Sequence, residues 1–206
     1  MKNTISILLF CLLIACNEKT KKENSSKIDN VQVSTEKVET NSMESGDYST
    51  LLSNFNCDTK ISEVADVLKV PESDLSLSDN VRQNECSFNL NGYGKNTLGN
   101  DSRVSWGTAP SSKKQIKKDI AGYLERKEDG LKIMGMDIEL AETGDCYLAY
   151  QPGHGRIIIY NENYDQVFLL HYGFRSANTD RTKEQHEELR LKMTDLANYL
   201  LKKHRK

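Results

Sequence analysis

The sequence predicts an α+β domain: an antiparallel sheet of about five strands packed with three helices, preceded by a short apolar leader and a long polar stretch. Three observations predict it. Apolar residues recur at helical spacing in three segments, around 61–68, 116–124 and 189–200. Short runs between them alternate, or are apolar throughout, and are parted by Gly, Pro and Asn. The order is helix, two strands, helix, three or four strands, helix. It lacks the regular strand–helix–strand alternation of a parallel sheet, so the strands should pair antiparallel with the helices packed on them.

The chain opens with Met1 and Lys2, then runs mostly apolar from Ile5 to Ala15. A membrane span takes about 20 apolar residues; this run is far shorter, and no later one is longer. A basic residue followed by such a run is the anatomy of a secretory signal peptide. The large Ile14 spoils an ordinary small-residue cleavage site. Leu13-Ile14-Ala15-Cys16 instead resembles the lipobox of bacterial lipoproteins, a resemblance confined to the first 16 residues. It implies that residues 1–15 are removed and that Cys16 becomes an acylated first residue. Several acyl chains would anchor firmly where one alone binds only marginally. The implied location is the cell envelope, on a bacterial membrane expected to be the outer one, with the domain in the periplasm or at the cell surface.

Residues 16–46 form the lipidated N-terminus and its tether. From 17 to 46 there is no aromatic residue, and Lys, Glu, Ser, Asn and Thr dominate. Such a stretch cannot bury enough apolar surface to offset its ordering entropy. As a flexible coil it would span roughly 30 Å. Residues 47–206 then make one ordinary domain, long enough for a proper core.

Within the domain, Ile61, Val64, Ala65 and Leu68 make the first helical stripe; Asp58 or Thr59 can cap it and Pro71 ends it. PESDLSLSDNVRQNE reads as a long polar connection. CSFNL (86–90) and SRVSW (102–106) alternate on either side of an NGYGKNTLGN loop. Ile116, Ile120, Tyr123 and Leu124 form the second stripe, opened by Ser111 or Ser112 and stopped at Gly130. Ile138 and Leu140 leave room for a short strand before Gly144. CYLAY, RIIIY and VFLLHY follow, parted by QPGHG and NENYD, which read as hairpin turns. RIIIY is apolar throughout, as a central strand covered on both faces would be. Thr182 and Gln185 make a capping-box pair, and Leu189, Met193, Leu196, Ala197 and Leu200 follow at helical spacing.

Four short motifs carry a second resemblance: Cys57 with Val64-Ala65-Asp66-Val67-Leu68, Cys86-Ser87-Phe88, Gly144-Asp145, and Leu196-Ala197. Together they resemble a cell-envelope lipoprotein domain, best known from actinobacteria, whose molecular function is unassigned. The likeness spans about 150 residues. Phe88 stands where that pattern has Trp, and Cys146 has no counterpart in it. The implied fold is an α+β sandwich like that of the PsbP proteins.

The whole chain carries a net charge of −2. Removing residues 1–15 takes away Lys2 and no acid, leaving 27 Lys and Arg against 30 Asp and Glu. That balance argues against a nucleic-acid partner. Of five cysteines, Cys11 leaves with the leader and Cys16 carries lipid, so Cys57, Cys86 and Cys146 remain in an oxidising compartment. Three pairings are possible. Position favours Cys57–Cys86, at the mouth of the first helix and the start of the first strand. Cys146 would then stay a small buried hydrophobe.

Asp145, Cys146 and His154 are the material of an activated thiol nucleophile, and an envelope hydrolase using Cys146 with His154 is the alternative reading. Against it, Cys146 opens an apolar strand and His154 sits between glycines in a tight turn. His154, His171, His186 and His204 are scattered, with no Cys-x-x-Cys or His-x-x-x-His, so no metal or other cofactor is expected. His171 reads as a satisfied sheet residue. GYGKNTLGN lacks the Gly-Lys-Ser/Thr ending of a phosphate loop, and the basic LLKKHRK suits a helix C-terminus. The expected function is non-enzymatic: a lipid-anchored binding or adaptor module whose partners are the membrane, through Cys16, and an envelope protein or ligand that these residues do not name.

Overall fold

Polar residues at every second position leave one apolar face on most strands, and two such faces need cover. The computed structural model describes residues 45–79, 84–131, 133–177 and 180–206; the leader, Cys16 and the tether up to residue 44 lie outside the described residues. The strands are β1 (Leu75–Leu77), β2 (Glu85–Lys95), β3 (Asp101–Pro110), β4 (Asp137–Leu140), β5 (Tyr147–Gln151), β6 (Arg156–Tyr160) and β7 (Gln166–His171). The helices are α1 (Ser49–Leu52), α2 (Ile61–Leu68), α3 (Lys113–Glu128) and α4 (Lys183–His204). Every strand pairing is antiparallel, in the order β1-β2-β3-β7-β6-β5-β4.

The α+β class with an antiparallel sheet stands, but among the described residues the sheet has seven strands, not five, and there are four helices, not three. Beyond the five expected strands come β4, whose apolar pair Ile138 and Leu140 had left room for it, and β1. The latter arises inside the polar connection because Leu75 sinks beside Leu90 to 6% exposure. Helix α1 is one turn of STLL, too short for a stripe, yet it buries Leu51 and Leu52 completely. β2 also runs further than its alternation indicates. It continues through the expected loop to Lys95 across a register shift, where Gly92 and Gly94 take positive φ. At Gly94 a Cβ would meet the Arg181 backbone nitrogen at 3.0 Å, so only glycine fits without strain.

Two layers cover the sheet. On one face α1, α2 and α4 bury Leu51, Leu68, Leu189 and Leu196 against Phe88, Trp106, Leu148, Ile157, Ile159 and Phe168. On the other face α3 buries Ile116, Ile120 and Tyr123 against Ile138, Ala149, Ile158 and Val167. β6 is thus interior and covered on both sides, as RIIIY predicts, with Ile157 and Ile159 facing one layer and Ile158 the other.

The caps largely follow the sequence. The Ser112 side chain accepts from Gln115 N at 3.1 Å, and Thr182 and Gln185 bond reciprocally at 3.1 and 2.9 Å. At α2 the capping residue is Lys60, not Asp58 or Thr59; its backbone N–H donates to the Glu63 carboxylate at 3.4 Å. Cys57 and Cys86 form a disulfide with Cα atoms 5.2 Å apart, tying the loop before α2 to β2. Cys146 is a buried free thiol.

Candidate functional site

The sequence singled out Cys146 with Asp145 and His154, and the fold holds them apart. Cys146 precedes β5 and is fully buried; its sulfur accepts from Asn161 Nδ2 at 3.4 Å. Burial pushes the thiol up to about 12, and the neighbouring Asp145 charge adds to this. A nucleophilic thiol needs the opposite environment. The Asp145 carboxylate serves the chain's own packing. It accepts from Tyr48 OH at 2.6 Å and Gly46 N at 2.7 Å and lies 3.4 Å from Arg205 Nη2. Burial raises its pKa, but the Tyr48 and Gly46 hydrogen bonds outweigh that and hold it below the usual carboxylate range. His154 is exposed past the far end of β5 and sits edge-on to Phe174 at 5.8 Å. Five strand residues span about 17 Å, so no Cys146–His154 contact forms.

The other histidines are equally dispersed. His204 Nδ1 lies 3.1 Å from Thr50 Oγ1. His186 is buried between Pro152 O, at 3.0 Å from Nε2, and Arg181 Nη1, at 3.4 Å from Nδ1. Arg181 is only 4% exposed; it donates to Tyr93 O and Tyr172 O, each at 2.7 Å, and to Ser102 Oγ at 2.8 Å. This cluster ties the ends of β2, β3 and β7 to the start of α4. Among the described residues, no three His, Cys, Asp or Glu side chains gather as metal ligands would.

A different arrangement emerges on the α3 side of the sheet. Helix α3 covers β4 to β7 there and reaches Ala109 at the end of β3; among the described residues no helix packs on that face of β1, β2 and the rest of β3. Strand register then sets a polar row across five strands. Ser87 lies opposite Ser105, Ser105 opposite His171, His171 opposite Arg156, and Arg156 opposite Gln151. The row is internally bonded. Arg103 Nε donates to Ser87 Oγ at 2.5 Å and Arg103 Nη2 lies 3.5 Å from Glu85. Arg156 donates to Gln151, and Gln151 donates to the Tyr123 hydroxyl on α3.

Beside this row runs a half-open trough of about 300 Å³. Its floor is Gly107, Ala109 and Leu169, and its polar end is Ser105, His171 and Glu85. The backbone at Asn84 forms one wall, so close that a Cβ on Gly107 would meet Asn84 O at 2.6 Å. Towards β1 a second, more polar hollow of about 460 Å³ is lined by Asn89, Asn96, Asn100, Asp101 and Arg103. Donors and acceptors above a partly apolar floor suit non-covalent recognition.

The signal for this face lay in the sequence as the polar members of CSFNL and SRVSW. What joins them to His171 and Arg156 is the β3–β7 pairing, made between strands more than fifty residues apart. No family model, no curated protein and no solved structure matches the chain.

Proposed function

We propose that this chain is a lipid-anchored cell-envelope binding module, held by an acylated Cys16 and the polar residues that follow it, that recognises its partner through the uncovered sheet face. One observation carries the reading: the half-open trough beside α3, with Glu85, Ser105 and His171 at its polar end. An open, partly apolar concavity with fixed polar groups is where binding concentrates. The α2 position of the VADVL motif and the Cys57–Cys86 bond support kinship with the actinobacterial lipoprotein domain that the motifs resemble. The outer membrane is the proposed anchoring site.

The test is capture from envelope membranes with a short cross-linker. Ser105→Tyr, which fills the trough from its polar end without entering the layer of α1, α2 and α4, should lose the cross-linked neighbour that the wild-type chain retains. Cys16→Ala should leave the chain unprocessed or free of the membrane. Equal capture by the wild type and Ser105→Tyr would refute the trough as the binding face.

A further inference from the structure

The outer face of α3 is unevenly charged. The helix holds six Lys and Arg against three Asp and Glu, within a chain whose net charge is −2. Four of the six, Lys113, Lys114, Lys117 and Lys118, crowd the first two turns, all exposed, with no acid in the first turn. Cations there oppose the positive end of the helix dipole, so this placement costs stability rather than adding it. Little answers them locally. Asp119 accepts from Gln115 Nε2 at 2.6 Å, and Lys117 reaches Glu162 only at 3.7 Å. Among the described residues, Lys113, Lys114 and Lys118 form no ion pair.

Past the other end of the helix, beyond the exposed acids Glu125, Glu128 and Asp129, the chain turns apolar. Just beyond α3, Leu131, Ile133 and Met134 are 51, 50 and 69% exposed. Met134 is held at φ +52°, a conformation that a side-chain-bearing residue rarely adopts. Beside Leu131 a hollow of about 250 Å³ is lined by Tyr123, Met136, Arg126, whose guanidinium sits 4.8 Å over the Tyr123 ring, and the Lys127–Asp137 ion pair, while Met134 lies against Pro152 and Gly153. Exposed apolar side chains on one side of a lysine-rich helix match the two layers of a membrane interface, acyl boundary and headgroups.

The place where the described chain begins agrees with this. Asn163 Nδ2 donates to Ser45 Oγ at 3.0 Å, and two residues on, Asp165 O accepts from Ser111 N at 3.0 Å, immediately before α3. Ser45, the first described residue, therefore lies near the segment that enters α3, while Gly46 and Asp47 bond to Asp145 and Lys206.

We propose that the α3 face, from Lys113 to the apolar side chains Leu131, Ile133 and Met134, lies on a bilayer bearing anionic headgroups. The helix is about 24 Å long, so contact at both ends lays the domain on its side. The trough opens on this same side and is turned towards the headgroup layer, where a partner would be presented. The inference draws on the lipid-anchored reading for its tether but not for its contact chemistry.

The experiment floats the full chain with vesicles of phosphatidylcholine alone or mixed with phosphatidylglycerol, and then measures lysine acetylation by mass spectrometry. With the anionic vesicles, Lys113, Lys114 and Lys118 should react at least about tenfold more slowly than with neutral ones, since each cation near an anionic surface binds measurably. Added salt should erase the difference. Read at the remaining Lys117, Lys113→Glu/Lys114→Glu/Lys118→Glu should abolish the protection by anionic vesicles, the matching Arg substitutions should preserve it, and Met134→Asp should weaken it. A chain that floats with both vesicles yet leaves these lysines equally reactive keeps its anchor and overturns the α3 surface. A chain that floats only with anionic vesicles supports the surface and counts against the anchor. Failure to float with either overturns both.

Discussion

His186 shows what a single buried side chain asks of its surroundings. Its Nε2 faces the Pro152 carbonyl and its Nδ1 faces an Arg181 N–H, so the ring is neutral, donating at one nitrogen and accepting at the other. Burial lowers its pKa; the Pro152 hydrogen bond works in the opposite direction, and Arg181 and Arg175 lower it further. The ordinary imidazole value is about 6.5. Because the folded value lies below it, the unfolded chain takes up its proton first. Stability is therefore whole above that pH and falls as pH drops towards the folded value. Urea melts at pH 7.5 and 5.0 should show this loss, and His186→Gln, a neutral donor and acceptor, should reduce it; an unchanged pH dependence in the variant would place the effect elsewhere. Little of this was legible beforehand. His186 and Arg181 stand five positions apart, and only the convergence of β2, β3 and β7 makes the arginine a buried cation. Cys146, by contrast, announced its burial by opening the apolar strand CYLAY.

At the level of elements, the readable parts were those whose stabilising pattern is local. RIIIY and the Thr182–Gln185 cap appear where spacing puts them, because each is specified within one segment. What escaped depends on partners far away in the chain. β1 exists because Leu75 finds Leu90, and α1 because its two leucines find α4 and β7. The described part of the segment between Cys57 and Cys86 is consequently tied to β2 twice over, by the β1 pairing and by the disulfide. Removing the 29-residue closure should still cost roughly 3–4 kcal/mol in the chain-entropy model. For a domain of this size that is roughly 10 °C in melting temperature. Calorimetry with and without reductant reads it directly, and Cys57→Ser/Cys86→Ser should match the reduced protein. A reduced protein that melts unchanged would show that β1 alone holds the segment.

Taken whole, the molecule has two sheet edges to guard, β1 and β4, and the β4 edge is guarded by chemistry already noted for its charge. Lys127 donates to the Ile138 carbonyl and sits 3.1 Å from Asp137, while the Asp137 carboxylate accepts from Ile138 N at 2.7 Å. Edge strands with free backbone groups invite pairing with another chain, and lysine is a common guard. Lys127→Ala should thus promote concentration-dependent association, seen by sedimentation velocity, with little change in the monomer's helix content; a variant that stays monomeric would show that the shortness of β4 suffices. The two ends of the domain are also joined. Asp47 N donates to Lys206 O at 3.1 Å, and Lys206 N donates back to Asp47 O at 3.0 Å. A backbone whose ends meet this way is close to a ring, so a few linking residues could seal it and a cut elsewhere would leave the same architecture. Leu98, 82% exposed at the tip of the β2–β3 hairpin, is the natural place to cut. A circular permutant opened there would carry its new ends at the hairpin tip and no longer at Asp47 and Lys206, without altering one residue that lines the trough.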